Sequence, residues 1–255
     1  WTAFTWTHSS ARCGSAADVR ASRVLLIRLD GIGDAVVCTP LIAALRDAGH
    51  DLGIALSDRN AGVFAAGTAS ATYVLDRIPW PKHGSTPASR ERAAAAIAAA
   101  GYDVALIASE EPEAYELAAP VPQRVGFTTG WAKPFKSAWI RRRVTTAVRR
   151  SATVRGADAH EAEILFRLGR GLVATSPERD AARLRRWIVG TAPLPERRGV
   201  IVQLGAKWGV LGLAAAALQR AMDALRERGA RFVAAPAERA AAAAAFPALA
   251  IDAPA

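Results

Sequence analysis

Cysteine is scarce in this chain of 255 residues, where only Cys13 and Cys38 occur. Two cysteines cannot frame a disulfide-stapled scaffold, so a reducing compartment fits the composition. Histidine is also rare, and no second histidine lies close to His160 in the sequence. The residue pattern therefore predicts no metal site and no cofactor.

A long apolar run and an initiator methionine are both missing from residues 1–22. Trp1, Phe4 and Trp6 are scattered in this segment among threonine, serine and glycine, so we expect no signal peptide here. We expect a poorly ordered leader here. The chain could be a fragment, or its start could be misassigned.

Lysine supplies only four of the 33 basic residues, and arginine supplies the rest. The net charge of +10 and the isoelectric point near 10.7 favour an anionic partner. Hydrophobic residues make up 51% of the chain, enough for a real core, so disorder is not expected. The length allows one large domain or two small ones.

Acidic residues are absent between Leu117 and Ala157. Phe135 and Trp139 lie in this span, four residues apart. Its basic residues are Arg124, Lys133, Lys136, Arg141, Arg142, Arg143, Arg149, Arg150 and Arg155. The pattern is typical of a solvated basic face, a helix lying on an anionic bilayer, a cradle for an acidic glycolipid, or a nucleic-acid interface.

The stretch 24–45, VLLIRLDGIGDAVVCTPLIAAL, is the organising element of the chain. An apolar run broken only by Arg28 predicts a buried strand, DGIGD a turn, and residues 35–45 a helix. Gly31 and Gly33 would allow positive φ and close approach of a ligand. Val36 stands where a dinucleotide fingerprint needs its third glycine, and no lysine follows as in a P-loop.

Asp34 is the distinctive residue of this turn. One interpretation makes it a helix cap, a common role of aspartate. The other makes it a general base at the carboxyl edge of a parallel sheet, where ligands bind in such folds. Glu110 and Glu111 follow a later strand and pose a similar choice between catalysis and a solvated helix start, with the second favoured.

Strands and helices are predicted to alternate along the chain, as in a doubly wound sheet. Asp158 and Glu161 are close to a capping box for a helix reaching Gly169. Prolines mark residues 191–198 as a linker. We therefore predict a leader at 1–22, a first domain at 23–190, the linker at 191–198 and a partial second domain at 199–255. Predicted strands are 51–57, 71–75, 104–108, 200–204 and 231–235, with a further candidate at 248–251. Predicted helices are 59–66, 87–100, 176–189 and 213–228.

Four stretches in order resemble the lipopolysaccharide heptosyltransferases, glycosyltransferase family nine. They are RLDGIGDAVVCTPLIAAL, the strand beginning Tyr102-Asp103, the strand Arg124-Val125-Gly126-Phe127, and the helix His160-Glu161-Ala162-Glu163 with Leu165, Leu168 and Gly169. Together they span roughly residues 23–170.

The resemblance implies a GT-B-like α/β fold of two Rossmann-like domains with parallel sheets. It also implies an inverting transfer of heptose from an ADP-heptose-like nucleotide-sugar donor to an anionic lipid-linked sugar acceptor. Such an enzyme would be cytoplasmic, at the inner face of the bacterial inner membrane, and would need no metal. In this interpretation Asp34 is the catalytic base, and Gly31, Gly33, Arg141, Arg142 and Arg143 bind the acceptor.

The donor half matches the family only in part. Gly205, Ala206 and Lys207 would bind the donor, but Val210 and Leu211 occupy the positions of the family's lysine. The later D-(S/T)-G-x-x-H motif has no counterpart before Ala255, so we expect an incomplete second domain and an inactive 255-residue chain. Two alternatives stay open. One is an inactive relative or fragment that binds an anionic glycolipid. The other is a basic nucleic-acid-binding α/β module, which is supported only by the net charge and the aromatic residues.

Overall fold

The computed structural model describes residues 21–78, 84–129, 133–150, 160–174, 176–189, 200–205, 215–236 and 238–252. The chain divides into two compact units, Trp1–Thr191 and Ala192–Ala255. In each unit parallel strands alternate with helices, so the predicted α/β class is confirmed. No helix within the described ranges is long and apolar enough to cross a membrane.

The first unit contains a six-stranded parallel sheet in the order β3-β2-β1-β4-β5-β6. Val24 at the centre pairs with Leu52 on one side and with Val104 on the other. Five of the six residues of β1 are buried, as its apolar run predicts. The strands are β1 (Arg23–Arg28), β2 (Asp51–Ser57), β3 (Ala71–Leu75), β4 (Val104–Ile107), β5 (Gln123–Thr128) and β6 (Thr146–Arg149).

Helices cover both faces of this sheet. Leu41 and Leu165 from α2 and α6 pack with Leu26 on one face, whereas Ile97 and Tyr115 from α3 and α4 belong to the cluster on the other. This three-layer arrangement is the doubly wound fold. The helices are α1 (Ile32–Val36), α2 (Thr39–Asp47), α3 (Pro87–Ala100), α4 (Pro112–Ala118), α5 (Pro134–Arg141), α6 (Glu161–Phe166), which runs into a 3-10 turn at Arg167–Gly169, and α7 (Ala181–Leu184).

Helix α3 begins and ends where its sequence predicts. The Thr86 hydroxyl accepts a hydrogen bond from the Ser89 N–H at 3.4 Å, and Pro87 occupies the first helical turn. Gly101 ends the helix with a φ of 64°, in the left-handed region that glycine tolerates. The predicted bounds of this helix, 87–100, are confirmed.

The helix predicted at 35–45 is instead two helices with a break at Val37 and Cys38. Pro40 has no N–H for the Val36 carbonyl, so a continuous helix would leave that acceptor unpaired. The Thr39 hydroxyl donates to the Val36 carbonyl instead. The Thr-Pro pair therefore accounts for the break, and α2 begins afresh at Thr39.

Two other predicted helices are wrong or much shorter. Residues 59–66 form turns, because the Asn60 side chain bonds the Ser57 N–H and the carbonyls of Arg28 and Asp30, in competition with a helix. The helix predicted at 176–189 is reduced to α7 and a 3-10 turn at Arg185–Trp187, and Ile188 is extended where it bridges to Phe64.

The start of α6 also differs from the prediction. Its cap is His160, whose Nδ1 accepts the Ala162 N–H at 3.2 Å, and Glu161 is the first helical residue. Asp158, the predicted cap, lies outside the described residues.

The second unit has a three-stranded parallel sheet in the order β7-β8-β9. Phe232 and Met222 lie in its core with Phe246, so this small unit has an apolar centre of its own. Its elements are β7 (Ile201–Leu204), α8 (Ala215–Glu227), β8 (Arg231–Ala234), α9 (Arg239–Ala245) and β9 (Ile251–Asp252). Each lies at or beside the place where the sequence predicts one, except α9.

Candidate active site

The strand order of the first unit defines where a ligand would bind. From β1 the chain runs outward to β2 and β3, and then crosses back to β4 on the opposite side of β1. The connections on the two sides of β1 therefore diverge, which leaves a crevice outside the carboxyl ends of β1 and β4. The turn at Asp30–Asp34 and the segment Ser109–Glu111 follow these two ends.

Asp34 lies in this region, in the first turn of α1. Its Oδ2 accepts the Gly31 N–H at 3.1 Å, and its Oδ1 accepts Arg28 Nη2 at 2.8 Å. The side chain is 48% exposed. The contact to Gly31 satisfies an N–H at the start of the helix, as in the capping interpretation. The exposure leaves room for a substrate hydroxyl, so capping and base chemistry are compatible.

Arg28 anchors this carboxylate. It is the last residue of β1 and is 5% exposed. Its Nη1 donates to the Ala108 carbonyl just beyond β4, and its Nε lies 3.2 Å from Asp30 Oδ2. Within the described ranges neither Nε nor that oxygen has a hydrogen-bond partner. One buried guanidinium thus ties together the ends of β1 and β4 and the start of α1.

Sequence reasoning did not assign Arg28 to the site, although a signal existed. Arg28 is the one charge inside an apolar strand, and a charge in a strand buried on both faces needs a specific partner. Asp34 lies six residues further along the chain, and the turn after the strand brings its carboxylate back to Arg28.

Gly31 and Gly33 do not take the positive φ that we expected. The described glycines with positive φ are elsewhere, and Gly31 has a φ of −79°. The reason is that α1 already begins at Ile32, so Gly33 has helical backbone. A ligand can still approach the backbone closely, because both glycines are exposed and a Cβ added at Gly33 would have no heavy atom within 4 Å.

Glu110 and Glu111 lie at a helix start, as expected, and Glu110 is exposed, but both carboxylates have basic partners. Glu110 accepts from Lys136 and, at 3.1 Å, from Arg150, which also bonds Glu161 at 2.8 Å. The hydrogen bond from Lys136 lowers the pKa of the Glu110 carboxyl below its usual value. Glu111 is the N-cap residue of α4 and is held by Arg77. Both carboxylates are committed to ion pairs.

Cys38 lies four residues after Asp34 and is fully buried. Burial raises the pKa of its thiol to about 12. A thiol with that pKa is almost entirely protonated near neutrality, so Cys38 packs as a small apolar side chain rather than acting as a nucleophile.

Arg141, Arg142 and Arg143 are not brought to Gly31 and Gly33. They lie at the end of α5 and just after it, at the amino ends of the strands, where Arg124 Nε of early β5 donates to the Arg143 carbonyl at 2.8 Å. Asp34 lies at the carboxyl ends, about five residues or roughly 15 Å further along the strand direction. An acceptor would have to span that distance to contact both groups, and their shared role in acceptor binding stays a prediction.

The aromatic residues of α5 also divide into two roles. Phe135 is 91% exposed. Trp139 packs edge-on against Tyr115, with ring centroids 5.2 Å apart, and the Arg143 guanidinium lies 3.8 Å from its ring centre. Trp139 is therefore part of the packing and is not free to enter a bilayer, whereas Phe135 is free.

The predicted donor residues lie in the second unit and are only partly described. Gly205 follows β7, and a Cβ there would come within 3.1 Å of Glu238 Oε2. Ala206, Lys207, Val210 and Leu211 lie outside the described residues. In the part of the chain that the structure describes, no three His, Cys, Asp or Glu side chains are grouped closely enough to hold a metal ion.

The architecture is that of the GT-B glycosyltransferases: α/β units with parallel sheets and a switch point at β1 and β4. The chain is similar to a glycosyl transferase of family 9 from Veillonella parvula, with 15% identity and a TM-score of 0.58 over 92% of this chain and 70% of that one.

It is also similar to E. coli heptosyltransferase WaaC. The complex with ADP-2-deoxy-2-fluoro heptose gives 17% identity and a TM-score of 0.55, covering 90% of this chain and 76% of WaaC. The complex with ADP gives 15% identity and a TM-score of 0.54, covering 91% and 74%. No family model and no curated protein sequence matches the chain. At these identities the likeness shows the fold, and it confirms at that level the family resemblance carried by the sequence motifs.

Proposed function

We propose that the protein is an inverting glycosyltransferase with Asp34 as its general base. The supporting observation is a half-exposed carboxylate, fixed by Arg28 and the Gly31 N–H, at the switch point of a fold shared with family 9 glycosyltransferases. A base must lie within hydrogen-bond reach of the hydroxyl it deprotonates, and this carboxylate lies near the carboxyl ends of the strands, where ligands of such folds bind.

In the proposed reaction the acceptor hydroxyl donates its proton to Asp34. The acceptor oxygen bonds to the anomeric carbon of the donor as the bond from that carbon to the diphosphate breaks, with inversion. Arg28 holds the carboxylate in one orientation, so little reorganisation is needed when the proton moves. The leaving diphosphate needs positive charge or N–H donors, a role proposed for Gly205, Ala206 and Lys207.

We further propose an ADP-heptose-like donor and an anionic lipid-linked sugar acceptor. The donor proposal is supported by the fold shared with WaaC, whose structures contain ADP and an ADP-heptose analogue. The acceptor is proposed to contact Gly31 and Gly33, which are exposed beside Asp34. Arg141 and Arg142 are exposed and have no carboxylate partner among the described residues, which supports a cytoplasmic protein held at the inner face of the membrane.

The decisive experiment replaces Asp34 by Asn in the protein expressed from its whole reading frame. Transfer should fall by at least about a hundredfold, the scale of general-base catalysis, while donor binding by calorimetry stays unchanged. Asp47→Asn is the matched control, because Asp47 is an exposed aspartate of the same unit paired with Arg186. An Asp34→Asn variant that keeps a turnover within tenfold of wild type would refute the base assignment. Binding of donor and acceptor without any turnover in the wild type would identify an inactive relative.

A further inference from the structure

Helix α5 has one buried side and one exposed side. Ser137 and Ile140 are 4% and 2% exposed, whereas residues three, four and seven apart on the opposite side of the helix are exposed. These exposed residues form the outer face of α5, which consists of Pro134, Phe135, Ala138, Arg141 and Arg142. Phe135 is 91% exposed, the largest exposed fraction among the large apolar side chains that the structure describes. The outer face therefore combines a free aromatic ring with two arginines.

The charge on this outer face has one sign. The side chains of Arg141 and Arg142 make no ion pair or hydrogen bond within the described ranges. Arg143 differs, because it donates to the Trp139 carbonyl at 3.2 Å and its guanidinium lies on the Trp139 ring. No acidic residue occurs in the sequence between residues 117 and 157. Two unpaired guanidinium groups are thus available to an anionic partner.

The chemistry of the outer face favours a bilayer over a nucleic acid. A phenyl ring has no polar group, and a helix that lies at a bilayer surface places such rings among the acyl chains and its arginines among the phosphates. Phe135 and Arg142 lie about 10 Å apart along one side of the helix, so one flat surface can contact both. A nucleic acid would stack its bases on aromatic residues beside the basic ones. Trp139, which is nearer to the arginines in sequence, packs edge-on against Tyr115 instead.

We propose that the outer face of α5 lies flat on an anionic bilayer, with Phe135 among the acyl chains and Arg141 and Arg142 at the lipid phosphates. The inference rests on the membrane-held glycosyltransferase of the proposed function and names the surface that makes the contact. Phe135 lies towards the carboxyl end of the sheet, since the next residue of α5, Lys136, bonds Glu110 just beyond β4. The bilayer therefore passes the end of the sheet that carries the proposed base, and a lipid-linked acceptor arrives beside the crevice.

The role of the two arginines is tested by co-sedimentation of the 255-residue chain with vesicles. One kind contains phosphatidylcholine and phosphatidylglycerol in equal parts, and the other contains phosphatidylcholine alone. The mixed vesicles should bind at least about tenfold more tightly, because only they carry the negative charge that attracts arginine. Arg141→Ser with Arg142→Ser should remove most of this preference.

A second double variant controls for net charge. Arg179→Ser with Arg183→Ser removes the same charge from exposed arginines that are paired with carboxylates, and it should change binding to mixed vesicles less than about threefold. Equal losses in the two double variants would refute the role of Arg141 and Arg142. A wild-type chain with no preference for mixed vesicles would refute it as well.

The insertion of Phe135 is tested separately. Phe135→Ser should weaken binding to both kinds of vesicle at least about fivefold, because burial of the ring is favourable with or without lipid charge. The matched control is Val189→Ser, an apolar side chain of the same unit that is 57% exposed, and it should change binding less than about twofold. Equal effects of the two substitutions would refute insertion.

A nitroxide label reports the depth of residue 135 directly. The label is attached to a Phe135→Cys variant in a Cys13→Ser background, in which the remaining Cys38 is buried. Addition of mixed vesicles should make the label accessible to oxygen and inaccessible to a water-soluble nickel chelate. A label that stays accessible to the chelate on bound protein would exclude insertion.

Turnover of the protein expressed from its whole reading frame separates this inference from the proposed function. Asp34→Asn should bind mixed vesicles as wild type does, since Asp34 is not on the outer face of α5. Transfer without vesicle binding would refute the inference and leave the glycosyltransferase standing, whereas vesicle binding without transfer would do the reverse. Phe135-dependent binding of an oligonucleotide that is tighter than vesicle binding would replace the bilayer by nucleic acid.

Discussion

Replacing Arg28 by Met should destabilise the first unit far more than removing an exposed arginine. The side chain is 7% exposed and contacts three groups: Asp34 Oδ1 at 2.8 Å, Asp30 Oδ2 at 3.2 Å and the Ala108 carbonyl. Methionine keeps most of the aliphatic packing but removes the charge and every donor. The Ala108 carbonyl then loses its hydrogen-bond donor, and the carboxylates of Asp30 and Asp34 lose the cation that they share.

The contacts do not contribute equally. Hydrogen bonds to charged groups contribute about 1.5–3 kcal/mol each when they are desolvated. Asp34 is 48% exposed and regains water once Arg28 is gone, so its share is at most about 1 kcal/mol. Asp30 is 26% exposed and recovers less hydration. Removing the guanidinium also removes the cost of burying it. The net loss of unfolding free energy should therefore be about 2–3 kcal/mol.

Amide hydrogen exchange of Leu25, Leu26 and Ile27 is the appropriate assay. These buried residues of β1 report the opening of the first unit alone, so the second unit does not confuse the measurement. Arg92→Met is the matched control, since Arg92 and its partner Asp76 are 67% and 56% exposed, and it should cost less than about 1 kcal/mol. An Arg28→Met loss no larger than that of the control would refute the account of Arg28 as a buried anchor.

Three further predictions follow from single side chains. Gly33→Ala should stabilise the first unit by about 0.5–1 kcal/mol, because its backbone is helical and the Cβ site is open, yet it should slow transfer if a ligand approaches there; faster or unchanged transfer would show that this space is not used. Glu110→Gln should lower the free energy of unfolding at pH 6 by less than about 1 kcal/mol and should have less effect near pH 3. The pKa of Glu110 is lowered in the folded state, so the ionised carboxylate contributes stability above its unfolded-state pKa, and this stability is lost as the pH falls through its folded-state pKa. An equal effect at both pH values would exclude the ion pair as the cause. In a Cys13→Ser background, Cys38 should react with iodoacetamide at pH 8 more than about a hundredfold slower than in urea, since burial raises its pKa to about 12; similar rates would show that the thiol is accessible in the folded chain.

The fold is predicted well where the sequence has apolar runs or residues that cap and end helices. Apolar runs located β1, β2 and β4, because strands buried on both faces have almost no polar residues. Thr86, Pro87 and Gly101 fixed both ends of α3 through capping chemistry that acts within a few residues. Such signals are local, so one sequence suffices to interpret them.

The failures arise where distant contacts override a local preference. Residues 59–66 have a helical composition, but Asn60 bonds the backbone of Arg28 and Asp30, about thirty residues away. The sequence also did not show how far Arg141, Arg142 and Arg143 lie from the glycines of the turn. Charge along the sequence does not show at which end of a strand a residue lies, whereas the length of α5 carries those arginines to the amino edge. Asp34 lies in the first turn of α1 rather than in a turn before the helix, and its link to Arg28 needed coordinates.

The two ends of the sheet differ in how their charges are balanced, and this difference bears on the role proposed for Asp34. At the carboxyl end Arg28, Lys136 and Arg150 are each paired with carboxylates, so their charge is largely neutralised where Asp34 would act. At the amino end Arg141 and Arg142 have no carboxylate partner within the described ranges. Salt screens exposed, unpaired charges most strongly. Ionic strength should therefore act mainly on binding at the amino end, and Asp34 should act in surroundings whose charge is set by fixed, short-range pairs.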